Sequence, residues 1–369
     1  MTKPRLTPLA EGLPATVPFV GPEAAERQMN KAFRARIGAN ENVFGPSPNA
    51  IAAMKTSAAD IWKYADPESY DLRQALAAHC GIKPDEVVVG EGVDTLLGYA
   101  VRLFVDQGDA VVTSDGAYPT FNYHVVGYGG KIHAVPFVDD KEDPALLLNK
   151  AREVDAKMIY IANPDNPMGS HHDAATINTM IADLPGNTLL ILDEAYIEFA
   201  PEGTAPTIDT SNPKVIRMRT FSKAYGMAGA RVGYAIGHRD VIRAFEKVRN
   251  HFGMNRSAQV GALAALEDQT YLAEVKEMVN RARSRIADIA RDNGLMTLPS
   301  ATNFVTIDCG RDAAFAKAAL AALVDDGIFV RMPFAHPGNR CIRISCGKDA
   351  DLDLFEAALP KALKSVRDG

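Results

Sequence analysis

The stretch TLLILD at residues 188–193 places four consecutive Leu and Ile residues between a threonine and an aspartate. A strand with one face in water alternates apolar and polar residues, whereas a strand covered on both faces is apolar throughout. Residues 188–193 therefore predict a central strand of a parallel sheet. The carboxylate of Asp193 is then expected at the carboxyl end of that strand, where ligands bind in sheets of this kind.

Six further stretches on either side predict strands of the same sheet. Helical patterns lie between them, for example at 94–105, 174–183 and 240–249, and this alternation indicates an α/β fold. We therefore expect a mostly parallel seven-stranded sheet covered by helices. The six other strands are predicted at 87–89, 110–114, 131–136, 158–162, 215–220 and 231–236.

The pattern changes near residue 271, where 271–293 form one long, charged amphipathic helix. A chain of 369 residues normally forms more than one lobe. We expect an N-terminal segment (1–35, with a short helix near 23–33) packed on a small domain, a large domain (36–270) and the small α+β domain (271–369). In the small domain, strands are predicted at 304–308, 328–332 and 341–345, and helices at 313–325 and 349–367.

Composition excludes several classes of protein. Lys and Arg total 40 against 46 Asp and Glu, a net charge of −6, which argues against nucleic acid as a partner. The apolar runs are far shorter than the roughly 20 residues that cross a bilayer. The first residues lack the apolar core of a signal peptide, so no membrane association and a cytoplasmic location are expected. The four cysteines lack CxxC spacing, which predicts reduced thiols and no metal site.

Three stretches carry candidate chemistry. RTFSKAYGMAGARVGY at 219–234 combines hydroxyls, small residues and an arginine, which suit a phosphate dianion, with Lys223 as a nucleophile or base. The alternative is a solvated lysine in a small-residue loop. GEGVD at 90–94 is a glycine turn before a helix and a possible anion site, although Asp94 is as readily an N-cap. NPDNPMG at 163–169 is either a plain turn or the carrier of a ligand-facing amide.

Taken in order, these motifs resemble the pyridoxal-phosphate aminotransferases of the aspartate aminotransferase fold, and most closely their histidinol-phosphate aminotransferase branch. Motifs of other enzyme classes, such as the P-loop and the G-x-S-x-G elbow, are missing from the sequence. The matching stretches are NENVFGPSP (40–48), NPDNPMG (163–169), LDEAYIEF (192–199), TFSKAYGMAGARVG (220–233) and RISCG (343–347).

The resemblance implies pyridoxal 5′-phosphate as the cofactor and assigns roles around its ring. Lys223 would form the Schiff base and, once freed, move the proton between the substrate Cα and C4′. Asp193 would pair with the pyridinium nitrogen, and Tyr196 and Asn166 would hydrogen-bond the ring oxygen O3′. Phe121 would stack on the ring face.

Further roles concern the phosphate and the substrate. Tyr64 is similar to a tyrosine that reaches the cofactor phosphate of the partner subunit, which implies a homodimer with shared active sites. Arg343 would clamp the substrate α-carboxylate, with Asn166 beside it, and Arg331 would bind a substrate phosphate or side-chain carboxylate. The remaining phosphate-binding residues implied by the resemblance are Gly92, Val93, Asp94, Thr220, Ser222 and Arg231.

The implied reaction is transamination from an amino donor to a 2-oxo acid. The donor is either histidinol phosphate or an aromatic amino acid, and the resemblance to the family alone implies 2-oxoglutarate as the acceptor. Phe19 stands where the branch has a tyrosine that helps to hold the substrate phosphate, so an aromatic or broad-specificity aminotransferase stays open. A decarboxylase of the threonine-phosphate decarboxylase type shares every cofactor residue. A non-catalytic cofactor-binding regulator usually carries an added helix-turn-helix domain, for which this chain has no spare basic region.

Overall fold

The computed structural model describes residues 4–15 and 21–368. Within those ranges the helices are α1 (Pro8–Glu11), α2 (Pro22–Met29), α3 (Pro48–Ser57), α4 (Tyr70–Cys80), α5 (Val93–Phe104), α6 (Pro119–Gly127), α7 (Pro144–Glu153), α8 (Ala174–Ala182), α9 (Arg239–Ala244), α10 (Arg256–Glu267), α11 (Gln269–Asp292), α12 (Ala313–Asp325) and α13 (Asp349–Asp368). The strands are β1 (Ala35–Arg36), β2 (Val87–Gly90), β3 (Ala110–Ser114), β4 (Lys131–Val135), β5 (Met158–Ala162), β6 (Leu189–Asp193), β7 (Val215–Thr220), β8 (Gly233–Gly237), β9 (Met296–Thr297), β10 (Phe304–Asp308), β11 (Ile328–Phe329) and β12 (Cys341–Ser345). Short 3-10 helices lie at Ala58–Asp60, Pro84–Glu86, Ile197–Phe199, Ala228–Ala230, Phe245–Lys247 and Gly338–Arg340.

The predicted seven-stranded sheet is present, with strand order β2-β8-β7-β6-β5-β3-β4. Strands β4, β3, β5, β6 and β7 pair in parallel, and β8 runs antiparallel to both β7 and β2. Six carboxyl ends therefore meet at one edge, together with the start of β8. The α/β fold class is confirmed.

Residues of the central strands alternate between two cores, which explains why these strands are apolar throughout. In β5, Met158 and Tyr160 pack on one face against α5 and α6. Ile159 and Ile161 pack on the other face against α7 and α8. Around β2 and β8, a third core is built with α3, α4 and α10.

A second, antiparallel sheet has the order β12-β10-β9. It packs with α11, α12 and α13 around one core that contains Phe304, Ile342 and Phe355. This is the smaller sheet domain expected from the pattern after residue 271.

The segment before the large sheet is tied to the smaller unit. Strand β1 pairs in parallel with β11, and the Arg34 side chain donates a hydrogen bond to the backbone oxygen of Asp326, 3.0 Å away. Ile37 belongs to the core of the smaller unit. Residues 34–37 therefore join that unit although almost 300 residues separate them from it in sequence.

Three predicted elements differ from the structure. Helix α2 ends at Met29 rather than near residue 33, because Asn30 adopts a left-handed conformation with φ 51°. The helix predicted at 240–249 is shorter, since α9 gives way to a 3-10 turn at Phe245–Lys247. The strand predicted at 328–332 is paired along β11 only, and a single antiparallel bridge from Arg331 to Arg343 follows.

Within residues 4–15 and 21–368, no helix is long and apolar enough to cross a membrane. The same residues contain no cluster of three or more His, Cys, Asp or Glu side chains able to hold a metal ion. All four cysteines are free thiols.

Candidate active site

A cavity of about 390 Å³ opens at the carboxyl edge of the large sheet. Its walls come from strand ends, from the starts of α5 and α6, from residues 39–41 and from β12 of the smaller sheet. Ten of the residues predicted from the sequence line it: Val93, Asp94, Asn166, Asp193, Tyr196, Thr220, Ser222, Lys223, Arg231 and Arg343.

The sheet brings these residues together because strands with separate sequence positions end side by side. Asp193 is the last residue of β6, and Thr220 is the last residue of the adjacent β7. Asn166 follows β5 on the other side of β6. Lys223 lies three residues beyond the end of β7.

Among residues 4–15 and 21–368, no cationic side chain pairs with the Asp193 carboxyl group. Asp193 is 5% exposed, and its oxygens accept hydrogen bonds from the Tyr160 hydroxyl at 2.7 Å and from the Ala195 amide at 2.9 Å. Burial raises the pKa of Asp193 to about 6, although both of these donors lower it. A positively charged group in the cavity would therefore stabilise the ionised form.

Donors for an anion surround the start of α5. The N-cap Gly92 has φ 88°, and the helix presents the amides of Val93 and Asp94 at its N-terminus. Arg231 also has a left-handed backbone, φ 59°, and its Nη1 lies 3.4 Å from the Ser222 Oγ. This arrangement suits a phosphate dianion.

Lys223 and Tyr196 meet at the inner wall of the cavity. The Lys223 Nζ donates a hydrogen bond to the backbone oxygen of Asn40 at 3.1 Å and lies 5.5 Å from the centre of the Tyr196 ring. The Tyr196 hydroxyl accepts a hydrogen bond from the Asn40 Nδ2 at 3.2 Å. An amine and a phenol are thus held side by side.

Arg343 reaches the cavity from β12. Its Nη1 donates to the Asn166 Oδ1, and its buried Nε has no acceptor among the described residues. Burial, with the neighbouring Arg331 charge adding to it, lowers the pKa of Arg343 to about 10. An anion at this end of the cavity would satisfy the unpaired N–H group.

Arg331, Gly92 and Tyr64 do not line the cavity. Arg331 pairs with Arg343 through the backbone, and its guanidinium lies 5.3 Å from the Phe329 ring centre. Gly92 lies directly against the Arg231 guanidinium. Tyr64 is 79% exposed beside Phe252. Phe19 lies outside the described residues.

The expected position of Phe121 on the ring face needs correction. Phe121 is fully buried and stacks on Tyr160, with ring centres 4.5 Å apart and planes at 17°. Helix α6 begins at Pro119, and Phe121 in its first turn packs into the core that contains Met158 and Tyr160 of β5. Tyr118, just before the helix, lines the cavity instead and donates to the Asp94 Oδ1 at 2.6 Å.

Sequence reasoning did not single out Tyr118, Tyr160 or Asn40 as site residues. Tyr160 lies inside an apolar strand, and its spacing from the strand end places its side chain in the same core as Met158. Asn40 is the first residue of the matched motif NENVFGPSP (40–48), and this motif was the only sequence feature that pointed to it. Its contacts depend on residues more than 150 positions away.

A cavity with an amine, a buried carboxylate that lacks a cation and a phosphate cradle at a helix N-terminus defines a pyridoxal-phosphate-dependent enzyme: the three groups fit the aldehyde, ring nitrogen and phosphate of that cofactor. The chain belongs to the family of class I and II aminotransferases, whose family model matches residues 36–359. It is a pyridoxal-phosphate-dependent aminotransferase, as the sequence motifs predicted.

Three known proteins illustrate the similarity. The histidinol-phosphate aminotransferase of Sinorhizobium meliloti, solved in complex with pyridoxal 5′-phosphate, is 52% identical with a TM-score of 0.96, and the match covers 99% of both chains. Histidinol-phosphate aminotransferase 2 of Pseudomonas fluorescens is 34% identical over 97% of this chain and 95% of its own. The histidinol-phosphate aminotransferase of an Anaeromyxobacter species is 33% identical over 98% of this chain and 99% of its own.

Proposed function

We propose that the chain transfers the amino group of histidinol phosphate to 2-oxoglutarate. The observation that carries this proposal is Arg343, which lines the cavity and whose buried Nε has no acceptor among the described residues, while the Arg331 charge lies near enough to lower the pKa of Arg343. Histidinol phosphate carries a phosphate dianion, and 2-oxoglutarate carries two carboxylates. The positive charge of Arg343 in the cavity, reinforced by that of Arg331 outside its lining, suits both of these anionic substrates.

When bound, pyridoxal 5′-phosphate supplies an aldehyde that takes up the amino group and a ring that accepts the electron pair of the broken Cα–H bond. Lys223 is proposed to hold the cofactor through its Nζ. In the reaction its amine would take the proton from the donor Cα and return one at C4′. The Asn40 backbone oxygen, 3.1 Å from Nζ, keeps the amine on this side of the cavity.

Residues at the strand ends are proposed to set the charge of the ring. Asp193 would accept the hydrogen bond of the protonated ring nitrogen, and this cation would reverse the effect of burial on the carboxylate. The Oδ1 of Asn166 is engaged by Arg343, so its Nδ2 is the group left to donate to the ring oxygen O3′. Tyr196 would donate to the same oxygen.

The cofactor phosphate is proposed to lie at the start of α5, held by Val93, Asp94 and the Gly92 turn, with Thr220, Ser222 and Arg231 opposite. Tyr118 rather than Phe121 is proposed for the ring face, because it lines the cavity. Its hydroxyl is fixed by the 2.6 Å bond to Asp94, so the aromatic plane is held in place.

A homodimer is proposed to complete each site, with Tyr64 reaching the phosphate of the partner subunit. The support is a cluster of exposed apolar side chains around it: Ile61, Trp62, Tyr64 and Phe252 are 59%, 78%, 79% and 57% exposed.

We further propose residues 36–270 as the cofactor-binding domain and 271–369 as the small domain, with residues 1–35 packed on the latter. A cytoplasmic location is proposed for the enzyme.

The test is glutamate formation from 2-oxoglutarate by the cofactor-loaded enzyme, with histidinol phosphate, Phe, Tyr and His as donors. Histidinol phosphate is expected to give the highest kcat/KM. Arg343→Lys is expected to lower that value by about 100-fold, because a lysine cannot form the bidentate pair. Arg102→Lys, at an exposed arginine on α5, serves as the matched control.

A response to Phe, Tyr or His but none to histidinol phosphate would refute the proposed donor and identify an aromatic aminotransferase. Release of carbon dioxide from an amino acid without glutamate formation would indicate the decarboxylase alternative.

A further inference from the structure

Asn40 has a backbone conformation that non-glycine residues rarely adopt, with φ 56°, and it is 2% exposed. Asparagine tolerates this region better than most residues, yet the conformation still has a cost that surrounding contacts must offset. Asn40 lines the cavity between Lys223 and Tyr196. In this conformation Asn40 forms hydrogen bonds with Ser345, Tyr196 and Lys223.

The hydrogen bonds of Asn40 assign one orientation to its side-chain amide. The Asn40 backbone N–H donates to the Ser345 Oγ at 2.9 Å, so the Ser345 hydroxyl keeps its own hydrogen for another acceptor. That acceptor is the Asn40 Oδ1 at 3.2 Å. With Oδ1 turned to Ser345, the Nδ2 group must face Tyr196, whose hydroxyl lies 3.2 Å away.

The direction of this chain of hydrogen bonds constrains Tyr196. A phenol has a single hydrogen, and the Tyr196 oxygen already accepts one from Asn40. Its own hydrogen is therefore free to be donated elsewhere, and the cavity lies on that side because Tyr196 lines it. The backbone oxygen of the same Asn40 accepts from Lys223 at 3.1 Å and from the Asn303 amide at 3.1 Å.

We propose that Asn40 is a positioning residue that makes Tyr196 donate its hydroxyl hydrogen into the cavity, toward the cofactor O3′. The inference rests on the role of Tyr196 in the proposed function. The donated hydrogen bond draws electron density from O3′, and it therefore lowers the pH at which the lysine-bound cofactor takes up its proton. Ser345, two residues after Arg343 on β12, sets the orientation, so the smaller sheet controls a hydrogen bond at the cofactor.

The test is a spectroscopic pH titration of the cofactor-loaded enzyme without substrate. Asn40→Gly keeps the left-handed backbone and removes the donor to Tyr196. The transition of the cofactor absorbance is expected to move upward by about 0.5–1 pH unit, the effect of one lost hydrogen bond. Asn30→Gly is the matched control, since Asn30 has φ 51° but is exposed at the end of α2.

A double-mutant cycle with Tyr196→Phe separates this inference from the proposed function. If Asn40 acts through the hydroxyl, Asn40→Gly moves the titration in the wild-type background and leaves it unmoved in Tyr196→Phe. A shift with Tyr196→Phe but none with Asn40→Gly would overturn the inference alone. No shift with Tyr196→Phe would overturn the role of Tyr196 as well.

Asn40→Asp provides a second route if the glycine variant does not fold. A carboxylate at this position still accepts the hydrogen bond from the Ser345 hydroxyl. Because it has no hydrogen to donate, it can only accept a hydrogen bond from the Tyr196 hydroxyl, and this turns the hydroxyl hydrogen away from the cavity. The expected shift is again upward. The negative charge introduced by Asn40→Asp shifts the titration with or without the Tyr196 hydroxyl. The part of the shift that is lost when Asn40→Asp is combined with Tyr196→Phe is therefore due to the hydroxyl. An equal shift in the presence and absence of the hydroxyl would contradict the proposal.

Discussion

Tyr160 is a buried phenol whose only side-chain hydrogen bond among the described residues goes to the Asp193 carboxylate. This bond lowers the pKa of Asp193 against the larger effect of burial, which raises it to about 6. The pKa of Asp193 therefore reflects a balance between burial, which favours the protonated form, and the Tyr160 and Ala195 donors, which favour the carboxylate.

Tyr160→Phe is expected to raise the pKa of Asp193 further, so more of the carboxyl group is protonated at acidic pH. A protonated carboxyl attracts a pyridinium poorly, and cofactor affinity should fall by up to about tenfold at pH 6. At pH 8.5, where Asp193 is ionised in both proteins, the difference should nearly vanish. The measurement is equilibrium cofactor binding between pH 5.5 and 8.5.

Tyr234→Phe is the control for this prediction, because Tyr234 is another fully buried tyrosine but does not line the cavity. A loss of affinity in Tyr160→Phe that is the same at every pH would show that the phenol acts by packing alone.

Among the elements, helix α5 depends on its first turn. Gly92 has φ 88°, and a Cβ built there would lie 2.4 Å from the Arg231 Nη2. Any side chain at position 92 therefore both strains the backbone and displaces the guanidinium from the proposed phosphate site.

Gly92→Ala is expected to weaken cofactor binding by at least about tenfold, as measured by equilibrium titration. Gly108→Ala separates the two causes, since Gly108 has φ 92° but open space where a Cβ would be. Both variants should lose stability by a similar amount, while only Gly92→Ala should lose cofactor affinity. Equal loss of affinity in the two variants would contradict the proposed role of Arg231.

The elements also show how far the sequence alone could go. The apolar stretches predicted β3 and β5 with their observed bounds, because strands covered on both faces cannot contain water-facing residues. Strand β7 also has its predicted bounds, although it contains Arg217 and Arg219. The strand stretch at 188–193 predicted Asp193 at the carboxyl end of β6, and the loop motif after β7 predicted Lys223. Tyr118 and Phe121 were exchanged, since the turn that starts α6 decides which aromatic faces the cavity, and that turn is a tertiary feature.

At the scale of the whole molecule, the exposed cluster Ile61, Trp62, Tyr64 and Phe252 supports the proposed homodimer. If Tyr64 serves the site of the partner subunit, a subunit with Tyr64→Ala and a subunit with Lys223→Ala carry defects in opposite halves of a shared site. Each is expected to be nearly inactive as a homodimer.

Co-expression of the two variants should restore about a quarter of wild-type activity, since half of the dimers are mixed and one of their two sites is intact. Steady-state transamination per subunit is the measurement. Tyr123→Ala, at an exposed tyrosine on α6, should retain activity by itself. If the mixture is no more active than its components, Tyr64 does not act across subunits.

The pairing of β1 with β11 also has a consequence for synthesis on the ribosome. Residues 35–36 emerge early but find their partners only at 328–329, and Asn40 meets Ser345 only after 305 more residues have been made. The large sheet, whose strands end at residue 237, can form well before that. A nascent chain can therefore contain the residues of the proposed phosphate site before Ser345, the hydrogen-bond partner of Asn40, has been made.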